Sequence, residues 1–341
     1  MKIKTNLKYL LPILICLLLI VSVLYYFFFC SLSNNSETSY LYVDDDDNID
    51  SILVKMKPIA TPHGFTGFST LLRHTGTEEN IHTGRYAIEE GDGAVSLFRR
   101  LRNGMQTPVH LTIPTVRTMD KMAAYIGEKM MIDSALVIAA LTDGERCREL
   151  GYDTLTIPAL FIPNTYDVYW NISLDKFLER MKKENDTFWN EERTEKASRL
   201  KLTPTEVVTL ASIIDEETSN DGEKPMIAGM YYNRLQNDMP LQADPTIKFA
   251  IGDFSLKRIY HNMLFINSPY NTYKNTGLPP GPIRVPTIAG IDAVLNMVHH
   301  NYLYMCAKED FSGTHRFAQT YQEHLKNAER YSQALNERGI Q

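Results

Sequence analysis

Residues Thr203 to Asn220 read Thr-Pro-Thr-Glu-Val-Val-Thr-Leu-Ala-Ser-Ile-Ile-Asp-Glu-Glu-Thr-Ser-Asn. The stretch opens with a helix start: Thr203 can cap, Pro204 fits the first helical position where no N–H is needed, and Glu206 completes a capping box. Val207, Leu210, Ala211 and Ile214 then recur at the i, i+3, i+4, i+7 spacing of a buried helix face. At about 100° per residue the three acids that follow diverge. Glu216 falls opposite the apolar stripe, and Asp215 and Glu217 fall on its two edges. A carboxylate at the end of an apolar face is partly desolvated, which raises its pKa and suits it to general acid chemistry. Periodicity leaves Asp215 and Glu217 as equal candidates. A solvated helix end is the competing reading.

Outward from this helix, the chain of 341 residues has room for about two ordinary domains. Its 44% hydrophobic and 22% charged residues are those of a folded globular protein. Beyond residue 30 there are 32 basic and 41 acidic side chains, which argues against nucleic acid as a partner. Cys16 and Cys30 lie in the leading apolar run, and Cys147 and Cys306 read as two separate buried thiols. No cysteine–histidine cluster suggests zinc, and the adjacent His299 and His300 would diverge on a helix. No metal site is expected.

Tyr9 to Cys30 is 22 residues without a charge, long enough for one membrane-spanning helix. Lys2, Lys4 and Lys8 before it and Asp44–Asp47 after it orient residues 1–8 toward the cytoplasm and the remainder outward. Residues 31–40 read as a polar linker. The four aspartates cannot converge on one calcium ion and read as a solvated loop or helix entry. From 41 to 115 the pattern mixes short strands and helices. Tyr86–Ile88 is an expected strand, Asp92 an expected cap for a helix carrying Val95, Phe98 and Leu101, Gly104 its end, and Val109, Leu111 and Ile113 a second strand. This strand–helix–strand pattern resembles a LysM-like module. In the domain from 116 to 341, residues 119–141 read as two helices broken near 132–134. Leu160–Tyr166 reads as a short strand ending in a Pro-Asn turn, and 173–200 as charged helix with Phe177, Met181 and Phe188 spaced for burial.

After Glu217 the character changes. Met226–Leu235 is an expected helix with two tyrosines, Asn233 and Arg234. Leu241-Gln-Ala-Asp-Pro-Thr246, Ser268-Pro-Tyr-Asn-Thr-Tyr273 and Gly277-Leu-Pro-Pro-Gly-Pro282 follow. Proline excludes the last run from helix or central strand. Rigid loops dense in Tyr, Asn and Pro suit a sugar groove, where aromatic faces stack on pyranose rings and amides bond hydroxyls. Gly313-Thr-His-Arg-Phe317 sets His315 beside an aromatic in a glycine turn.

Together with Leu210-Ala-Ser-Ile-Ile-Asp-Glu-Glu217 and Tyr232-Asn-Arg-Leu235, these motifs resemble the endolytic murein transglycosylases, the YceG-like or MltG family. The resemblance covers nearly the whole chain. It implies an α+β protein: an N-terminal transmembrane helix, a small LysM-like lobe and a YceG-like catalytic domain in the bacterial inner membrane, with the catalytic domain on the outer side. It implies endolytic, non-hydrolytic cleavage of peptidoglycan between N-acetylmuramic acid and N-acetylglucosamine, forming 1,6-anhydro ends and terminating or trimming nascent strands, with no cofactor. The family's catalytic glutamate matches Glu217. Asn233, Arg234, Gln242, Asp244, Tyr270, Asn271, Tyr273, Pro279 and His315 are the substrate-binding candidates it carries over. Peptidoglycan synthases and division proteins are candidate neighbours. Two positions depart from the family pattern: Asp215, where relatives often have Glu, and Arg284-Val-Pro-Thr287, where relatives commonly carry an Asn-Pro-Gly turn. A non-cutting wall-binding scaffold and a hydrolytic muramidase using Asp244 as a second carboxylate are the alternatives.

Overall fold

The computed structural model describes residues 7–75, 81–256 and 258–338; residues 1–6, with Lys2 and Lys4, lie outside them. The chain forms two compact units: Met1–Leu111 with Lys129–Ile132 and Tyr166–Ile172, and Thr112–Glu128 with Asp133–Thr165 and Ser173–Gln341. Helices and two-stranded antiparallel ribbons alternate, an α+β arrangement.

The first unit begins with α1 (Leu7–Phe28), long and apolar enough over Leu10–Phe28 to cross a membrane. Its leucines and isoleucines between Leu10 and Leu24 are exposed, a surface that water disfavours and hydrocarbon does not. The nominal linker is not free of the fold, because Leu32 is fully buried. β1 (Ser39–Val43), α2 (Ile49–Met56), α3 (Pro62–Thr75) and β2 (Gly84–Ile88) follow, with β1 and β2 antiparallel from Ser39 opposite Ile88 to Val43 opposite Gly84. The aspartate run enters α2, and the Lys55 ammonium gathers Asp44 at 2.6 Å and Asp47 at 2.5 Å. Helix α4 (Ala94–Arg102) starts one residue later than expected, with Gly93 as its cap and no side chain capping it. Asp92 instead accepts from the Glu89 N–H and the Ser96 hydroxyl. Its buried face is Ala94, Leu97, Phe98 and Leu101, with Val95 half-buried. The expected strand–helix–strand unit is not one sheet: β3 (Val109–Thr112) pairs with β4 (Thr165–Val168), and β2 pairs with β1.

In the second unit the two helices expected over 119–141 are α5 (Met119–Lys129) and α6 (Ser134–Thr142), and α7 (Gly144–Glu149) follows. The strand expected at 160–166 begins only after the Pro-Asn turn, because Ile157–Leu160 coils into a 3₁₀ turn. α8 (Leu174–Phe188) and α9 (Glu191–Arg199) then lead to α10 (Pro204–Glu217). Thr203 and Glu206 form the reciprocal capping box, and Pro204 occupies the first turn. Every residue from Val207 to Ile214 is buried, so α10 is encased on all sides and not merely on one stripe. Thr209 and Ser212 tolerate this because their hydroxyls bond the carbonyls of Thr205 at 2.8 Å and Thr209 at 2.6 Å. Around α10 pack α9, α11 (Lys224–Gln236), α12 (Asp244–Ile251) and α13 (Ile288–Leu295). A hairpin, β5 (Tyr304–Ala307) and β6 (His315–Ala318), and α14 (Tyr321–Glu337) complete the unit. His299 and His300 lie beyond the end of α13, not on a helix.

Candidate active site

Three consecutive acids end α10, where the helix dipole and their mutual repulsion disfavour negative charge. Two of them are neutralised by cations from elsewhere in the unit. The Asp215 carboxylate, 2% exposed, meets the Lys224 ammonium at 2.7 Å and accepts from the Thr287 N–H at 2.5 Å. Lys224, itself 4% exposed, also meets Asp221 at 2.7 Å. Although burial pulls the ammonium down, these two carboxylates hold its pKa above the ordinary lysine value. Glu216 does not face solvent as the stripe implied: its carboxylate takes both the Arg117 fork at 2.7 and 2.8 Å and Arg284 at 2.9 Å. The Glu216 bond holds the Arg117 guanidinium above its usual pKa. The two departures from the family pattern, Asp215 and the Arg284–Thr287 segment, therefore meet at the end of α10. A Cβ on Gly290 would come within 2.6 Å of Asp215, so that glycine lets the carboxylate sit over α13.

Glu217, the third acid, has no such cation among the described residues. It opens into a cavity of about 460 Å³ also lined by Tyr231, Arg234, Gln242, Asp244, Tyr273, Tyr304, His315 and His324. The Tyr231 hydroxyl donates to its Oε1 at 2.6 Å. Burial pushes the Glu217 carboxyl up to about 7; the Tyr231 hydrogen bond pulls it down, Asp244 pushes it up, and His315 and Lys248 pull it down. Burial, with Glu217 beside it, lifts the Tyr231 hydroxyl well above its ordinary pKa, so it remains a donor.

The Leu241–Thr246 and Ser268–Tyr273 motifs are zipped together by backbone. The Gln242 N–H donates to the Thr272 carbonyl at 3.0 Å, and the Ala243 N–H to the Thr272 hydroxyl at 3.0 Å. Gln242 stands at φ 55°, a left-handed conformation rare outside glycine. Arg234 holds it there, donating to its Oε1 at 2.6 Å and to the carbonyls of Pro240 and Leu303 at 2.9 and 2.8 Å. Asp244 begins α12 ahead of Pro245 and accepts from the Tyr273 hydroxyl at 2.5 Å. Burial and that carboxylate push the Tyr273 hydroxyl far above its ordinary pKa. His315 arrives on β6. Glu223 accepts from its backbone N–H at 2.6 Å and lies 2.9 Å from its Nδ1, which leaves Nε2 as the ring atom available to the cavity.

Glu217, Arg234, Gln242, Asp244, Tyr273 and His315 thus share one wall, whereas four of the sequence candidates lie elsewhere. Asn233 ties α11 to the segment before β5, donating to the carbonyls of His300 at 2.6 Å and Tyr302 at 3.0 Å. Tyr270 is core, its ring 4.6 Å from Phe249. Asn271 is fully buried and staples its own loop through the carbonyls of Leu264 and Ile266. Pro279 is buried in the loop. Tyr231, Tyr304 and His324 were missed. Only Tyr231, in the tyrosine pair before Asn233, carried a sequence signal; the other two reach the cavity through the hairpin and α14. Among the described residues no group of acids, histidines and cysteines is arranged to hold a metal ion.

A family model described as the YceG-like family matches residues 41–330. The chain is 30% identical over 306 residues to an endolytic murein transglycosylase of Bacillus subtilis, covering 85% of this chain and 83% of that protein. It is 27% identical to an endolytic murein transglycosylase of Streptococcus pneumoniae D39, covering 75% of this chain and 52% of the relative, so it spans about half of that protein. A 2.6 Å crystal structure of a putative YceG-like protein from Listeria monocytogenes superposes with a TM-score of 0.55 at 25% identity, covering 86% of this chain and 99% of the other.

Proposed function

This chain belongs to the YceG-like family, and from that premise we propose that it cleaves peptidoglycan glycan strands as a lytic transglycosylase, with Glu217 as its single acid–base group. The observation that carries the assignment is the contrast at the end of α10. Asp215 and Glu216 are locked in ion pairs, while Glu217 is half-buried at the cavity with a carboxyl poised near 7. A carboxyl in that range is about half protonated at neutral pH, so the acid form is at hand to donate and the base form to accept.

The reaction proceeds in two proton transfers. Glu217 gives its proton to the oxygen joining C1 of the muramic ring to the neighbouring glucosamine, and the C1–O bond breaks with its electron pair going to that oxygen. The muramic C6 hydroxyl then attacks C1 while the Glu217 carboxylate takes the hydroxyl proton, closing the 1,6-anhydro ring and restoring the acid. No water is consumed and no second carboxylate is needed, because an intramolecular nucleophile has an effective molarity on the order of 10⁵ M or more. Tyr231, bonded to Oε1, favours Oε2 as the oxygen that carries the moving proton. Arg234, Gln242, Asp244, Tyr273 and His315 offer the sugar hydroxyls and acetamido groups donors and acceptors. Asn233, Tyr270, Asn271 and Pro279 act through the shape of the wall. Asp244 already accepts the Tyr273 hydroxyl, which favours a binding role over that of a second, hydrolytic carboxylate.

The remaining features extend the reading. With α1 as a single-pass anchor and residues 1–8 in the cytoplasm, the catalytic unit faces outward and trims or terminates strands near the membrane. In the same reading the lobe at 41–115 holds glycan in a LysM-like role. Mass spectrometry of peptidoglycan digested with the protein and with Glu217→Gln tests the central claim. Anhydro-muramic ends from the wild type, falling by about 10²–10⁴-fold in the variant, are expected. Reducing ends instead would establish hydrolysis and turn attention to Asp244. Strand binding without cleavage by either protein would establish a scaffold.

A further inference from the structure

Where α1 ends, a second cavity of about 520 Å³ opens in the first unit, and nothing in glycan cleavage uses it. Its walls include Phe28 and Phe29 from the end of the apolar run, Gly93 and Ser96 from the cap and first turn of α4, and Arg99 and Arg100 from its last turn. The helix end is fixed against these residues. The Leu32 N–H donates to the Asp92 carbonyl at 2.7 Å, and the Leu32 carbonyl accepts from Thr61 at 2.8 Å. A Cβ on Gly67 would lie 1.9 Å from the Phe27 carbonyl oxygen, and one on Gly93 2.7 Å from that of Phe28. Only glycine allows this approach. Tyr26 stacks on His63 at 4.4 Å.

That fixing sets the depth of the cavity. The apolar span Leu10–Phe28 is 19 residues, which at about 1.5 Å each covers about 28 Å, the hydrocarbon thickness of a bilayer. A cavity lined by Phe28 and Phe29 therefore lies at headgroup level, whichever way the helix is oriented. A lipid presents its phosphate there.

The polar wall suits such a group. Arg99 is exposed and forms no ion pair with any described residue. Arg100 gives one nitrogen of its fork to Asp92, and its Nε–H has no partner among the described residues. Asp92, the one acid in the lining, is offset by Arg100 and by the Ser96 hydroxyl at 3.0 Å, which leaves Arg99 as the excess charge. Glu89 and Glu90, exposed on the preceding turn, do not line the cavity. The first turn of α4 has no side-chain cap, so its N–H groups add to the positive end. Met105, 59% exposed, supplies an apolar rim. We propose that this cavity binds the phosphate headgroup of an anionic membrane lipid, held by the Arg99 and Arg100 guanidinium groups.

The test uses the full chain in phosphatidylcholine nanodiscs doped with phosphatidylglycerol, counting lipids retained on the protein by native mass spectrometry. The wild type is expected to retain phosphatidylglycerol in preference to phosphatidylcholine. Arg99→Gln, at an exposed position that leaves folding intact, is expected to lower that retention about five-fold, as is Met105→Glu. Arg102→Gln removes the same charge from the same helix outside the cavity and is expected to retain lipid like the wild type. Equal retention of the two lipids by the wild type, or equal losses in Arg99→Gln and Arg102→Gln, would overturn the site. Excess inorganic phosphate is expected to leave phosphatidylglycerol bound; its displacement would overturn the lipid assignment in favour of a free anion.

Discussion

Asp44–Asp47 and Asp215–Glu217 are both runs of consecutive acids, and the fold treats them in opposite ways. In the first, Asp45 and Asp46 stay in water while Asp44 and Asp47 share the half-exposed Lys55. Against burial, the Lys55 ammonium and the Ser51 hydroxyl keep Asp47 below its ordinary pKa. In the second, cations saturate Asp215 and Glu216, and Glu217 is left desolvated with a phenol hydroxyl as partner. Identical side-chain chemistry becomes scaffolding or reagent according to what the tertiary structure brings to it.

The largest difference between the runs is expected in activity: Glu217→Gln abolishes glycan cleavage to within about 10²–10⁴-fold, and Asp45→Asn leaves it unchanged in the same digestion assay. Stability separates them next. Asp215→Ala leaves the buried Lys224 ammonium with the exposed Asp221 as its charge partner and the Thr287 hydroxyl at 3.3 Å, and denaturant unfolding should report a loss of about 3 kcal/mol. Asp45→Asn, on a solvated loop, should stay within about 0.5 kcal/mol. If the two behave alike, the ion pair at Asp215 does not organise the helix end.

A third expectation concerns pH. A Glu217 carboxyl lifted from 4.5 to about 7 in the folded state is protonated in both states below pH 4.5. Stability is fully present there, falls as pH rises toward 7, and stays lower above it. The penalty should be about 2 kcal/mol, smaller than the ~3 kcal/mol of the full shift because the carboxyl faces a water-accessible cavity. Glu217→Gln should remove it, so melting temperatures of variant and wild type diverge above pH 7 and converge below pH 4.5. The smallest effect sharpens the chemistry. kcat/KM should decline above about pH 7 as the acid is lost. Tyr231→Phe deletes a hydrogen bond that lowers the Glu217 pKa, so this decline should move upward by under about one pH unit. A downward move would mean that Tyr231 stabilises the protonated acid instead.

Legibility followed sequence distance. The capping box of Thr203 and Glu206, the proline at the first turn of α10, the end of α4 at Gly104 and the apolar length of α1 involve neighbours a few residues apart, and each was readable. Asp92 was misread as a cap because a Gly one step later served the backbone equally well. The strand pairing of β2 failed for a different reason: its partner β1 lies on the far side of two helices, and local alternation does not name a partner. At the site, Tyr270 and Asn271 sit beside Tyr273 in one motif, yet one side chain fills the core, one staples the loop and one reaches the cavity.

The sequence by itself determined that α10 forms, where it starts, and that acids stand at the end of its apolar face, since capping, propensity and periodicity act over a single turn or two. It also determined that α1 is suited to hydrocarbon. Only the tertiary structure decided which acid could act, because the groups that neutralise Asp215 and Glu216 come from Lys224, Arg117 and Arg284, the last two 99 and 68 residues from Glu216. Desolvation and charge pairing depend on distances in space, and those exist only once the chain has closed around the helix.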